Sequence, residues 1–157
     1  DPIYGRAEKR QDGEHVYYVT PDRRSVIRVI ADMVRPNGLA GTADGKTLYV
    51  TDHGAAQTWA YDIEPDGTLS RKRLFAPVGA DGMKVDMLGN VYLAQNGILV
   101  YDSTGRYLET IAVSEQPTNL CFAGPDGRTL FITARPVAYT LSMRVAGVQQ
   151  TQTKSSR

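Results

Sequence analysis

The chain has 157 residues, of which 41% are apolar and 22% charged, a balance that suits one globular domain and excludes a disordered chain. Its 18 Lys and Arg against 17 Asp and Glu leave a net charge of +1, so nothing in the charge points to nucleic acid or an anionic membrane surface as a partner. The single cysteine, Cys121, excludes an intrachain disulfide and a Cys-x-x-Cys site, and no apolar run approaches the roughly 18 residues of a membrane span. The chain opens on Asp1-Pro2 without a signal-peptide pattern, so the expectation is a soluble chain of the cytoplasm or periplasm, any targeting segment being removed or not included.

Asp outnumbers Glu by 12 to 5, and the shorter carboxylate favours turns and caps over helix interiors. In chain order, β-branched, aromatic or alternating runs fall at 15–19, 25–30, 47–51, 58–63, 91–94, 98–101, 107–111 and 129–133. Asp-Gly pairs at 12–13, 44–45, 66–67, 81–82 and 126–127 read as hairpin turns between them. No apolar stripe of period 3.6 runs for a helical length. The chain reads as all-β.

The strands also repeat. Asn37-Gly38-Leu39-Ala40, Asp81-Gly82-Met83-Lys84 and Asn119-Leu120-Cys121-Phe122 each open a strand–turn–strand unit, at offsets of 44 and 38. Over the combined 82, residues 44–51 fall on 126–133 without a gap. A period near 40 with about four strands is the signature of a β-propeller, whose blades bury their faces only by stacking around an axis. Residues 38–75 and 83–113 make two complete blades, 119–146 three strands of another, and 16–30 the last two strands of an earlier one. This is an incomplete set of about three to four blades, whereas closed rings use at least four. The expectation is therefore part of a larger protein, or a second chain completing the propeller. Residues 1–148 form the partial propeller and 149–157 a polar tail.

Few motifs carry chemistry. Residues 40–47 fit a relaxed phosphate-loop pattern, but a strand follows where that motif needs a helix. Gly-x-Ser-x-Gly and His-Glu-x-x-His are absent, and two histidines are too few for a histidine-rich metal site. His15, at a strand start, reads as a surface residue. His53, where a strand ends, is either a pocket residue or an exposed loop histidine. Arg71-Lys72-Arg73 reads as a solvated strand edge. More informative are Asn37, Asp81 and Asn119, which share one phase of the repeat. Their side-chain oxygens either converge on the axis as ligands for a hard cation such as Ca²⁺ or make local Asx turns.

Several of these segments resemble one family. Arg35-Pro36-Asn37-Gly38-Leu39-Ala40 with residues 44–52, Ala80-Asp81-Gly82-Met83-Lys84-Val85-Asp86 with Gly89-Asn90-Val91-Tyr92, and Pro117-Thr118-Asn119-Leu120 with residues 124–133 are similar, in order, to the regucalcin/gluconolactonase family. Asp1-Pro2-Ile3-Tyr4-Gly5 resembles a segment midway along that family's chain, so the match covers its C-terminal half. The resemblance implies a propeller, six-bladed when complete, that hydrolyses small lactones with one divalent cation on its axis. Ca²⁺ stands first, with Zn²⁺, Mn²⁺ or Mg²⁺ as alternatives. The family's ligands are a Glu, two Asn and an Asp. Asn37 matches the second Asn and Asp81 the Asp, while the other two belong to the absent half and Asn119 matches none of the four. Asp81 is implied as both ligand and proton acceptor for the attacking water, with the cation polarising the lactone carbonyl. His53, Tyr92 and Asn119 are substrate-pocket candidates. The family requires no disulfide, in keeping with Cys121 buried in an apolar strand. The competing readings are a catalytically incomplete propeller serving as a binding or scaffold module, and a propeller of the strictosidine-synthase type.

Overall fold

A computed structural model describes residues 11–148, and the opening segment resembling the family and the polar tail lie outside them. The described residues are all strand, turn and loop. β1 (Val16–Val19) and β2 (Val26–Ile30) pair antiparallel. β3 (Pro36–Gly41), β4 (Thr47–Asp52), β5 (Gln57–Ile63) and β6 (Leu69–Ala76) form a four-stranded meander. β7 (Met83–Val85), β8 (Val91–Gln95), β9 (Gly97–Tyr101) and β10 (Tyr107–Ile111) form a second. β11 (Pro117–Ala123), β12 (Thr129–Ala134) and β13 (Val137–Ser142) make a three-stranded sheet. Sheet order follows sequence order, because each antiparallel neighbour is reached by a short hairpin. Among the described residues no helix is long and apolar enough to cross a membrane.

The sheets bury their faces against one another. Ile30, Met33, Val50 and Tyr61 close the first interface, between β1–β2 and β3–β6. Tyr49, Phe75, Met83, Val91, Leu93 and Tyr101 close the next, between the two meanders. Tyr92, Ile98, Val100, Leu120, Leu130 and Ile132 close the third, against β11–β13. Within each sheet, alternate side chains face opposite neighbours. The first strands gather together: β3 lies beside β7, and β11 beside β7 and β8. These strands define the axis of a partial propeller.

Three expectations need correction. Asp44-Gly45, Asp66-Gly67 and Asp126-Gly127 do turn hairpins, with the glycines at positive φ, but Asp12-Gly13 and Asp81-Gly82 precede strands instead. Asp12 is occupied by Arg28, with nitrogen–oxygen distances of 2.8 and 2.9 Å, and by His15 at 3.1 Å. His15, its ring lying over Gly13, is buried rather than at the surface, 9% exposed. Cys121 is exposed, because its neighbour Leu120 takes the inward phase of β11.

Candidate functional site

The site begins as a local irregularity repeated in each sheet. Pro36 pairs with Asp52 and Leu39 with Val50, so Asn37 and Gly38 together oppose Thr51. In the next sheet the Asp81 N–H donates to the Ala94 carbonyl while the Ala94 N–H donates to Gly82, each at 2.9 Å. There too, two residues face one. The ladder of β11 and β12 slips in register between Pro117 and Asn119. Such bulges re-aim a side chain out of the pleat, and here they occur at or beside the three polar residues of common phase.

Glycine then lets the strands close up. A Cβ on Gly38 would stand 2.6 Å from the Asp81 carbonyl oxygen, and one on Gly82 would stand 2.7 Å from the Asn119 Cα. Both approaches are closer than any side-chain carbon tolerates, so backbone lies against backbone. Asn37 Nδ2 donates to Asp81 Oδ1 at 2.9 Å. Asn37, Gly38, Asp81, Lys84 and Asn119 share the walls of a cavity of about 240 Å³. Asn119 Oδ1 accepts the Leu120 N–H at 2.8 Å, one residue on rather than the two of an Asx turn, and the residue lines the same cavity.

Buried polar groups hold this arrangement. The Thr51 hydroxyl accepts the Gly38 N–H at 2.9 Å and donates to the Ala80 carbonyl at 2.8 Å. Asp52, 2% exposed, receives the N–H groups of Val34 and Arg35 at 2.8 Å and that of Ala55 at 3.1 Å. It thereby ties the approach to β3 to the turn that carries His53, whose own N–H reaches the Arg35 carbonyl at 2.9 Å. His53 lines a second cavity of about 290 Å³ with Asp81, Gln95, Gln116, Thr118 and Arg135. Asp81 is common to both cavities.

Tyr92 lies elsewhere. It is 3% exposed, and its hydroxyl donates to Asp86 Oδ2 at 2.9 Å; burial first, and the Asp86 carboxylate second, raise its pKa. It lines neither of the two cavities and instead packs its ring against Phe122. Asp86 in turn accepts the Leu88 and Asn90 N–H groups at 2.9 Å and Asn90 Nδ2 at 2.8 Å, a structural hub for the β7–β8 turn. Sequence reasoning missed Thr51, Asp52, Gln95, Gln116 and Arg135. Thr51 alone left a signal, since Thr133 recurs 82 residues later.

Meander sheets fanned about a common axis, with the Asn37 and Asp81 side chains meeting beside it, define a partial β-propeller. Residues 4–135 match the family described as the SMP-30/Gluconolactonase/LRE-like region, and the chain belongs to that family. A gluconolactonase of Zymomonas mobilis is 32% identical over 155 residues, an alignment covering 85% of this chain and 43% of that protein. The structure of a gluconolactonase from Xanthomonas campestris superposes with a TM-score of 0.79 at 33% identity, covering 87% of this chain and 46% of that one. The calcium-binding protein regucalcin from Agrobacterium tumefaciens shares the fold, with a TM-score of 0.76 at 23% identity over 85% of this chain and 53% of its own. The chain thus spans about half the length of the relatives it matches.

Proposed function

We propose that the protein containing these blades hydrolyses small lactones, with Asp81 as the proton acceptor. The observation that carries this reading is the meeting of Asn37 and Asp81 in one cavity at the axis, in a chain whose relatives include proteins named gluconolactonase and lactonase. As water adds to the acyl carbon, the Asp81 carboxylate takes its proton. Collapse of the tetrahedral adduct breaks the ring C–O bond, and the departing alkoxide recovers a proton, leaving a hydroxy acid. Asn37 fixes the carboxylate through Oδ1 and leaves Oδ2 free of that bond.

The donors also fit a hard divalent cation, Ca²⁺ foremost, because carboxylate and amide oxygens are the ligands such ions prefer. Among the described residues no group of three or more His, Cys, Asp or Glu side chains is assembled for a metal, so Asn37 and Asp81 would hold it together with donors from the rest of the ring. A bound cation would polarise the ester carbonyl as a Lewis acid. On the same reading residues 1–148 are the partial propeller and 149–157 its polar tail, and further blades of the same polypeptide or of a second chain complete the ring.

The test is Asp81→Asn in the intact protein. It should lower kcat on a sugar lactone by about 10²- to 10⁴-fold, the usual contribution of a positioned base, with an unchanged circular dichroism spectrum. Undiminished turnover would remove Asp81 from the chemistry.

A further inference from the structure

The second cavity differs chemically from the first. It is built at one end of the axis by the turn after β4, the end of β8, the start of β11 and the turn between β12 and β13. Most of its polar side chains are already engaged. Gln116 Nε2 donates to the Gln95 carbonyl at 2.7 Å, Gln95 Oε1 accepts the Asn96 N–H, and the Thr118 and Thr133 hydroxyls are 3.0 Å apart. Asp81 is bonded to Asn37 on the other side of the shared wall. His53 and Arg135, both exposed at the mouth of this space, have no side-chain hydrogen-bond or ion-pair partner among the described residues.

Arg28 pairs with Asp12, Arg73 with Asp62 and Arg106 with Asp102, whereas Arg23, Arg128 and Arg144, like Arg135, have no side-chain partner among the described residues; what sets Arg135 apart is its place on the wall of this cavity. Arg135, exposed and always charged, lines a cavity that also reaches Asp81. A guanidinium is the side chain best matched to a carboxylate or phosphate. We propose that Arg135, with His53 beside the same space, binds an anionic substituent, carboxylate or phosphate, carried by the lactone. The substrate class is then an acidic or phosphorylated lactone rather than a neutral one. This rests on the lactonase reading above, with Asp81 at the boundary between the reacting end and the recognised end of the substrate.

The experiment compares three lactones of the same ring size, one neutral, one carrying a carboxylate and one a phosphate, on the intact wild-type protein, Arg135→Gln and Arg135→Lys. Arg135→Gln should raise KM about ten- to a hundredfold for the anionic lactone that fits, the range expected for losing a charge-assisted hydrogen bond. KM for the neutral lactone should be unchanged and kcat largely preserved, while Arg135→Lys recovers part of the loss. Which anionic lactone shows the effect distinguishes carboxylate from phosphate as the group recognised. Equal KM changes for neutral and anionic lactones, or none for any, overturn the proposal. A second readout needs no turnover: the NMR signals of the His53 ring should shift on titration with inorganic phosphate in the wild type and not in Arg135→Gln. A shift that persists in the variant, or is absent from the wild type, also overturns it. Arg135-dependent phosphate binding without hydrolysis of any lactone would sink the lactonase reading alone, and hydrolysis indifferent to substrate charge would sink this inference alone.

Discussion

The Thr51 hydroxyl links the residue after Asn37 to the residue before Asp81, through Gly38 N–H and the Ala80 carbonyl. One fully buried oxygen therefore sets the spacing of two side chains from different sheets. Thr133, its counterpart 82 residues on, donates to the Asn119 carbonyl at 3.2 Å, so the same residue type serves the same inner strand in the third sheet. Thr51→Val keeps the shape but strands a donor and an acceptor, which costs about 1–3 kcal/mol. It should lower the denaturation midpoint accordingly and weaken lactone turnover, while Thr51→Ser, which keeps the hydroxyl, should retain most of both. Equal behaviour of Val and Ser in denaturant titrations would show that the hydroxyl is not the link. At this scale the sequence told part of the story. Asn37 and Asp81 were legible because a repeat carries its own ruler, and residues at one phase of stacked blades must approach one axis. Arg135, Gln95 and Gln116 were not, since they come from connections that differ between sheets and meet only in space. Tyr92 entered as a pocket candidate with the family resemblance; the structure bonds its hydroxyl to Asp86 and packs its ring on Phe122.

Elements are set by their turns. Asp102 Oδ1 accepts the Thr104 hydroxyl at 2.6 Å and the Thr104 and Arg106 N–H groups at 2.9 and 3.1 Å. Asp44 and Asp66 make the same kind of loop with Thr42 and Thr68. Hydrogen bonds to the ionised form hold these carboxyls below their usual range, led in each case by the threonine hydroxyl. Asp102 is lowered to about 2, and Asp12 also to about 2, principally by Arg28 and then by His15. A carboxyl lowered on folding stabilises the fold above its unfolded pKa, near 4, and loses that contribution as pH falls through its folded value. The urea midpoint should accordingly fall between pH 4 and about 2, and Asp102→Asn should make that fall shallower. A midpoint flat across this window, or a variant that parallels the wild type, would contradict the assignment. Most strands and three of the five Asp-Gly turns were readable in advance, because alternation and positive-φ glycine are local signals. Asp12-Gly13 and Asp81-Gly82 departed from that pattern because their carboxylates are used over longer range, on Arg28 and on Asn37. His15 is buried with its ring over Gly13 and hydrogen-bonded to Asp12. The exposure of Cys121 follows from alternation along β11, which an apolar run alone obscures.

At the scale of the molecule, the repeat compares one sheet with and without a following neighbour. Tyr49 and Thr51 on β4 are 4% and 0% exposed, because the β7–β10 sheet covers them. Phe131 and Thr133 occupy the same positions on β12, 82 residues later, and Phe131 is 45% exposed. The face that the propeller elsewhere buries is thus bare on β11–β13, with Cys121 also exposed on the strand beside it. At the opposite end Val19 and Val26 are 51% and 66% exposed. An aromatic side chain on an uncovered sheet face favours association, and the free edge of a sheet favours it further. The 157-residue chain on its own should therefore self-associate as its concentration rises, in sedimentation velocity or light scattering. Phe131→Glu should shift it toward monomer by placing a charge where the next sheet would pack. In a complete ring the same substitution should instead destabilise, as Tyr49→Glu would, because both then bury a carboxylate under a neighbouring blade. A strictly monomeric chain that Phe131→Glu leaves unaltered would show that this exposed face does not drive association.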